Sequence, residues 1–512
     1  MKRDALAAIV LLIVVAAAHG PVVSQWWLWD DPQLLYGAMR FPVLDHFTNP
    51  QSWQQQSTAN FVPMLMLANE LDLQLFGVAP PGFYVHHLFV FTLAILAIYA
   101  YLRTFTSELI AAAAAATFAL SQPAFTVATL LMDRHYAAGL FVAVVAMMLF
   151  RRDRPILGAL VYFIACIEKE VYVPLPLLVV VQDLVTRRGW RIAMRDGALC
   201  GVATVTYVAW RMFMLGSFGG YGGGESSLRA VVTRGWTIAT GPLALAVLLF
   251  AALLAILAAR RFPWQTAAVL VACVIVVLLP IAGLMSLDSR YFFVAAAVIV
   301  ILAAIAAREQ RLLFAALCVA IAIGGVLHGL RLRADLALHQ RDGLFLWNAP
   351  PNAGALFTGA NGWYIEGIQW LRRTVKGDEP PRAIASIPGL VIAREKPPEH
   401  VRAQYDIVRT HAAGDMPLTV ELARRGSQFS WKLGPVANGD AFFFVTPIYE
   451  LVWTRTPSGW IRLPADVRVP TATFEPNRKL RVMRRSGDRW TVSTELPMPE
   501  DGQTIRWIRP AS

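Results

Sequence analysis

The chain has 512 residues, 56% of them hydrophobic and only 16% charged, with a mean hydropathy of +0.50. That balance excludes a soluble multidomain protein. The formal charge of +12 does not mark a nucleic-acid partner, because many arginines before residue 330 sit in short loops between apolar runs, where they orient a membrane protein.

A helix needs ~20 mostly apolar residues to cross the hydrocarbon core. Apolar runs of about that length fall near 5–24, 82–103, 107–121, 135–150, 155–168, 171–186, 197–215, 236–259, 264–286, 290–307 and 311–330, eleven in all, with those at 107–121 and 155–168 short. With the N-terminus in the cytoplasm, the loops on that side carry Arg103, then Arg151, Arg152 and Arg154, then Arg187, Arg188, Arg191 and Arg195, then Arg260, Arg261, Arg308 and Arg311. The opposite loops are sparse in basic residues, holding Arg40, Arg134, Lys169, Arg229, Arg234 and Arg290. This bias predicts both the count and the orientation. An odd number of spans sends the tail outside, into the periplasm if the bilayer is a bacterial inner membrane. Met1-Lys2-Arg3, an apolar stretch and Ala16-Ala17-Ala18 also fit a cleaved signal peptide; either way Trp26 emerges on the outer face. Cys166, Cys200, Cys273 and Cys318 all lie inside apolar runs, without metal-ligand spacing or a disulfide framework, and read as small hydrophobes.

After residue 330 the composition becomes that of a soluble domain. A helix near 363–375 precedes short β-branched and aromatic runs at 429–433, 441–446, 451–455, 480–484, 489–496 and 504–508. Turn signals separate them: Asn438-Gly439, Pro457-Ser458-Gly459, Gly487-Asp488 and Asp501-Gly502. The expected fold is an all-α polytopic membrane domain over 1–330, with a long outer loop at 25–81, followed by a mostly antiparallel β domain over 331–512.

The reactive-looking residues gather on the outer side of this topology. Loop 25–81 opens with Trp26-Trp27-Leu28-Trp29-Asp30-Asp31-Pro32. Two adjacent carboxylates at a membrane edge repel each other, which raises one pKa and suits a general base or a metal ligand. The bland alternative is a tryptophan belt followed by a helix cap. Asp133-Arg134-His135 opens the fourth run, Glu168-Lys169-Glu170 forms the tight turn between the fifth and sixth, Arg211 lies near the outer end of the seventh, and Arg290-Tyr291 opens the tenth. Each alone fits a snorkelling arginine or a local Lys169–Glu170 pair. Together they make a set of acids and cations on one face, and membrane-edge ionisable residues signal function. Arginines there suit a lipid-borne phosphate, which the planar guanidinium fork binds bidentately. The stretch from Phe61-Val62-Pro63 to Phe76-Gly77, with Glu70 and Asp72 interspersed, reads as an amphipathic interfacial helix. His46, His86 and His87 invite a metal reading, but His86 and His87 are adjacent and point about 100° apart on a helix, too far to share one ion easily.

The order of these motifs resembles the GT-C superfamily of membrane glycosyltransferases, in particular the branch with protein O-mannosyltransferases and related transmembrane, tetratricopeptide-repeat-bearing enzymes. "WDDPQLL" resembles the acidic pair after the first span, and "NFVPMLMLANELDLQLFGVAPPGF" the Pro-containing interfacial helix and entry to the second. "QPAFTVATLLMDRHYAAGLF" puts Arg134 in the phosphate-contacting position, "EKEVYVPLPLLVVVQDL" resembles the Lys-Glu before a Pro-containing span, and "SRYFFVA" the Arg-Tyr entry to a late one. The likeness covers roughly residues 1–310. Val62 stands where many relatives carry Arg, His87 where Asn is usual, and no tetratricopeptide array follows.

The resemblance implies an inverting transfer of one sugar from a polyprenyl-phosphate carrier to a periplasmic glycan, lipid or protein acceptor. Asp30, with Asp31 close behind, would be the base; Arg134, Arg290 and Arg211 would hold the departing phosphate, with Lys169 adding charge. Asp133, His135, Glu170 and Tyr291 would line the same cavity. A divalent cation (Mg or Mn) on Asp30 and Asp31 is compatible with the resemblance, since some relatives use one and others do not. Two rival classes are a transporter or lipid-linked-glycan flippase, and a non-catalytic membrane assembly factor. The first often shows a two-fold repeat and midplane charges, neither of which is evident here.

Overall fold

The computed structural model describes residues 2–57, 60–185, 188–216, 288–307, 311–348, 356–378, 383–386, 414, 416–425, 428–437, 440–445, 451–454, 457–462, 479–486 and 489–510. They divide into two compact units, Met1–Trp26 with Gly37–Asp335, and Trp27–Tyr36 with Leu336–Ser512. The sequence reading kept all of 25–81 with the membrane part; the structure groups Trp27–Tyr36 with the tail.

The first unit is helical. In chain order its elements are α1 (Lys2–His19), α2 (Asp31–Arg40, which starts in the second unit), α3 (Asp45–Thr48), α4 (Pro50–Gln56), α5 (Pro63–Phe76), α6 (Pro80–Leu102), α7 (Glu108–Ala119), α8 (Gln122–Thr129), α9 (Arg134–Arg151), α10 (Pro155–Glu168), α11 (Leu175–Val185), α12 (Trp190–Leu215), α13 (Phe293–Ala306) and α14 (Arg311–Asn348, which runs on into the second unit). Proline opens α5, α6 and α10, where its missing N–H would have had no intrahelical partner in any case.

Among the described residues, five stretches are long and apolar enough to cross a membrane: Lys2–Ser24, Pro80–Leu102, Leu131–Arg151, Trp190–Leu215 and Phe314–Ala337. Helices α7 and α8, bent by 59° at their break, make a sixth if they count as one broken span. This is fewer than the eleven expected. The apolar runs overstate helix length wherever the chain breaks inside them. The run at 107–121 stops at the Ser121 break before Pro123, and the run at 171–186 becomes helix only at Leu175, after a 3-10 turn at Glu170–Tyr172. α10 and Ser289–Ile305 are apolar but shorter than a full crossing. The runs at 236–259 and 264–286 lie outside the described residues.

Small residues and polar groups join the helices. On α14, Gly325 faces the Leu120 carbonyl and Gly329 the Phe125 ring so closely that a Cβ at either position would collide. This is the spacing by which small residues let membrane helices approach backbone to backbone. His19 at the end of α1 reaches the Ala119 carbonyl of α7 at 2.9 Å.

In the second unit, α14 is followed by β1 (Leu356–Asn361), α15 (Gly362–Lys376) and β2 (Ala383–Ser386), with β1 and β2 paired in parallel. Among the described residues, nine strands follow: β3 (Leu418–Arg425), β4 (Gln428–Gly434), β5 (Asp440–Val445), β6 (Leu451–Thr454), β7 (Ser458–Arg462), β8 (Lys479–Ser486), β9 (Arg489–Val492), β10 (Leu496–Pro497) and β11 (Thr504–Arg509). They form two antiparallel sheets, ordered β11-β3-β4-β7 and β10-β8-β5-β6, with β9 paired to β8. Alternate residues of both sheets, among them Leu418, Val420, Phe429, Trp431, Phe444 and Val482, share one apolar core, so the sheets pack as a sandwich. The expected strand-rich tail is present. β3 and the parallel β1–β2 pair were not foreseen, and Ser458-Gly459, read as a turn, opens β7.

Candidate functional site

In the first unit, the start of α9, the end of α10, the 3-10 turn after it, the end of α12 and the start of α13 bring ionisable side chains together. Arg134, with its side chain 2% exposed, is held tightly. Its Nη1 lies 2.6 Å from Oδ2 of the fully buried Asp72, and its Nη2 donates to the Phe83 carbonyl at 2.9 Å. His86 closes this group, with Nδ1 2.6 Å from Asp72 Oδ1. Arg134 is therefore built into a buried ion pair with α5 and α6. His87, one residue on from His86, turns instead to the Val127 carbonyl at 2.8 Å.

A second group centres on Glu170. Its two oxygens engage two cations, Lys169 Nζ at 3.2 Å and Arg211 Nη1 at 3.3 Å. Lys169 also donates to Asn60 Oδ1 at 3.1 Å and sits 5.6 Å from the centre of the Tyr136 ring. The three charged groups carry one net positive charge. Burial pushes the Lys169 ammonium below its ordinary pKa, an effect that Glu170 opposes. Burial would raise the Glu170 carboxyl, but Lys169 and Arg211 more than offset it and leave Glu170 below the ordinary range, hence ionised.

The third group joins α9 to the start of α13. Arg290 Nη1 lies 3.4 Å from Asp133 Oδ1, its Nε 3.7 Å from Asp288 Oδ2, and its guanidinium 5.2 Å from the Tyr291 ring centre. His135, its ring tilted against that of Tyr136 with centres 4.8 Å apart, feels the charges of both Lys169 and Arg290, which links this group to the second.

Asp30 and Asp31 belong to the second unit. Leu28–Asp31 is a closed turn: Asp31 N–H donates to the Leu28 carbonyl at 2.9 Å, and Leu28 N–H donates to Asp31 Oδ2 at 2.8 Å. The buried Asp31 carboxylate thus starts α2 in the reciprocal manner of a capping box. Asp30 is half-buried, and its carbonyl accepts the first α2 hydrogen bond, from Leu34 at 3.0 Å. Between them and the membrane helix, Trp29 has φ 46°, a conformation uncommon for any side-chain-bearing residue. It is held by stacking on His339 of α14, with ring centres 5.5 Å apart. Tyr364 of α15 donates to the Trp27 carbonyl at 2.7 Å and lies 3.3 Å from the His339 carbonyl. Within this unit, residues some 300 positions downstream therefore shape the carboxylate turn.

Sequence reasoning missed Asp72 and His86 as the partners of Arg134, and His339 and Tyr364 as the supports of Trp29. Asp72 had a signal: with Leu65 and Asn69 it falls at helical spacing on the buried face of α5, so its carboxylate had to find a cation inside. His339 and Tyr364 had none, because nothing local ties them to residue 29. Comparison of the chain with models of known families and with curated proteins finds no match.

Proposed function

We propose that the chain is a membrane glycosyltransferase that moves one sugar from a polyprenyl-phosphate carrier to an acceptor hydroxyl. The observation that carries this reading is the Lys169–Glu170–Arg211 group, two buried cations that meet on one partly exposed carboxylate where the turn after α10 reaches the end of α12. Such a site suits an anion whose tail stays in the bilayer. Arg290 adds a third cation nearby. Arg134, committed to Asp72, serves better as the frame that holds α5, α6 and α9 around the site than as a direct phosphate ligand.

In the reaction a general base, the role that the sequence resemblance gives to Asp30, takes the proton of the acceptor O–H while its oxygen attacks the anomeric carbon. The bond from that carbon to the phosphate oxygen breaks, and the polyprenyl phosphate leaves with the bonding pair. One displacement inverts the anomeric centre. Lys169, Arg211 and Arg290 stabilise the charge that grows on the leaving phosphate, a task suited to fixed cations in a site that excludes water. No step requires a divalent cation. Asp31 holds the turn that presents Asp30.

The test is transfer of labelled sugar from polyprenyl-phosphate donors by the purified full chain, with periplasmic extract as acceptor. Asp30→Asn should lower turnover by about 10²–10⁴-fold with donor binding kept, the usual worth of a general base. Asp31→Asn should act through stability. Parental turnover in both variants would remove the carboxylate pair from the mechanism, and no transfer by the parent from any donor would remove the reading. The reading also takes eleven spans and a periplasmic 331–512 segment, so a reporter fused near residue 340 should be active only if it works outside the cytoplasm.

A further inference from the structure

We infer that Trp29 is a carbohydrate-binding platform: a pyranose ring of the acceptor lies against the indole face opposite His339, beside the turn that carries Asp30. The inference rests on the transferase reading above and names its acceptor class, a glycan in place of a peptide or a lipid.

Trp29 is held in place at a cost. Its φ of 46° lies in the left-handed region, which a residue without a Cβ adopts far more easily. Burial does not explain the choice of a large ring there. Trp27 and Leu28 are fully buried and Asp31 is 2% exposed, whereas Trp29 between them is 37% exposed. Among the described residues its one ring contact is His339 of α14, nearly parallel at 15° with ring centres 5.5 Å apart. A turn built for stability alone takes glycine at such a φ. Strain kept at an exposed aromatic residue points to a use for the ring.

The support beneath the ring is fixed from two sides, all within the second unit. The Tyr364 hydroxyl donates to the Trp27 carbonyl at 2.7 Å and lies 3.3 Å from the His339 carbonyl, so one group ties the chain before Trp29 to the helix under its indole. After Trp29, Asp31 Oδ2 accepts the Leu28 N–H at 2.8 Å and closes the turn. A ring presented this way loses little freedom when a ligand arrives.

The chemistry of an indole face selects the ligand. The face carries the negative part of the ring quadrupole. A pyranose presents weakly positive C–H groups on one flat face and its hydroxyls around the rim. It therefore stacks on the ring and keeps its polar groups outside the contact. A peptide has no rigid flat face of this kind. An interfacial anchor needs neither the strained backbone nor the stacked support, because a tryptophan on ordinary backbone reaches the headgroups equally well. Asp30 follows Trp29 directly in the chain, so a sugar on this ring sits next to the residue that the resemblance makes the base.

The experiment is equilibrium binding to the full chain in nanodiscs without any donor. The probes are maltotriose, cellotriose, mannotriose, chitotriose and a neutral Ser/Thr-rich peptide. The parent should bind at least one trisaccharide and not the peptide. Trp29→Gly, which takes the left-handed φ without strain, should stay folded by its thermal midpoint and lose about 10-fold or more in that affinity, the scale of an aromatic anchor. Trp29→Phe, with a smaller face, should lose less. Parental trisaccharide affinity in both variants overturns the platform. So does a parent that binds none of the trisaccharides, which leaves Trp29 as an interfacial anchor, or one that binds only the peptide. A parent that binds a trisaccharide through Trp29 but transfers no sugar from any donor keeps the platform and removes the transferase reading.

Discussion

Helix α12 carries a charge cluster at each end, about 22 Å apart at 1.5 Å per residue between Asp196 and Arg211. At the Asp196 end two arginines serve three carboxylates. Arg188 contacts Asp183 at 2.8 Å, Asp153 at 3.3 Å and Asp196 at 3.6 Å, while Arg195 contacts Asp196 at 2.6 Å and Asp153 at 2.9 Å. Arg188 also donates to the Phe150 carbonyl at 2.7 Å. At the Arg211 end, one carboxylate is divided between two cations. The first cluster ties α11 and α12 to the turn after α9. The second ties the turn after α10 to α12 through one carboxylate shared by two cations. Burying ionisable groups is costly at both ends, and at each the ion pairs offset part of that cost.

The comparison breaks most readily at the Asp196 end. Arg188→Met leaves Asp183 and Asp196, both fully buried, short of a cation. Losing one partner of a buried ion network costs about 3–5 kcal/mol. The thermal midpoint of the full chain in detergent should fall steeply, and donor binding should fail only through unfolding. A midpoint unchanged within the error of the measurement would mean that this cluster holds nothing together.

Lys169→Ala should give the opposite signature. Glu170 keeps Arg211, so the midpoint should shift less than in Arg188→Met. Sugar transfer should drop about 10²–10³-fold, the range for removing one preorganised charge-stabilising group. A large loss of stability with proportionate loss of activity would make the two ends equivalent and erase the distinction.

The smallest effect is expected in the second unit, where Arg372 and Asp378 form a two-pronged pair, 2.8 Å on each side. The hydrogen bond from Arg372 holds the Asp378 carboxyl below its ordinary pKa. A carboxyl depressed in the folded state stabilises fully above its unfolded value of about 3.9, and the contribution fades as pH falls through that value toward the folded one. The midpoint difference between the parent and Asp378→Asn should thus be present at pH 7 and shrink below about pH 4. An equal difference at pH 7 and pH 3 would show that the pair contributes by packing rather than by charge.

Much of the architecture was legible residue by residue. The β strands at 429–433, 441–446 and 480–484 stood out because aromatic and β-branched residues alternate there between turn signals, and the structure has β4, β5 and β8 in those places. β3 escaped because Glu421, Arg424 and Arg425 dilute its alternation, although Leu418, Val420 and Leu422 are all buried. The basic residues Arg188 and Arg195 were read as topology signals alone. Their second role depends on Asp183 and Asp196, which come from two helices and share no local pattern. In the same way Asp30 and Asp31 looked equivalent, and the hydrogen bond from Leu28 to Asp31 separates them.

By itself the sequence determined the class of molecule, because composition and the period of apolar residues act locally and are written along the chain. It settled that helices rich enough in apolar residues to enter a bilayer precede a strand-rich tail, and which stretches hold the ionisable residues. Only the tertiary structure decided which charges cancel. Pairing depends on distances between side chains far apart in sequence: 62 positions separate Asp72 from Arg134, and 41 separate Glu170 from Arg211. A buried charge is defined by the partner it meets, and that partner is named by the fold.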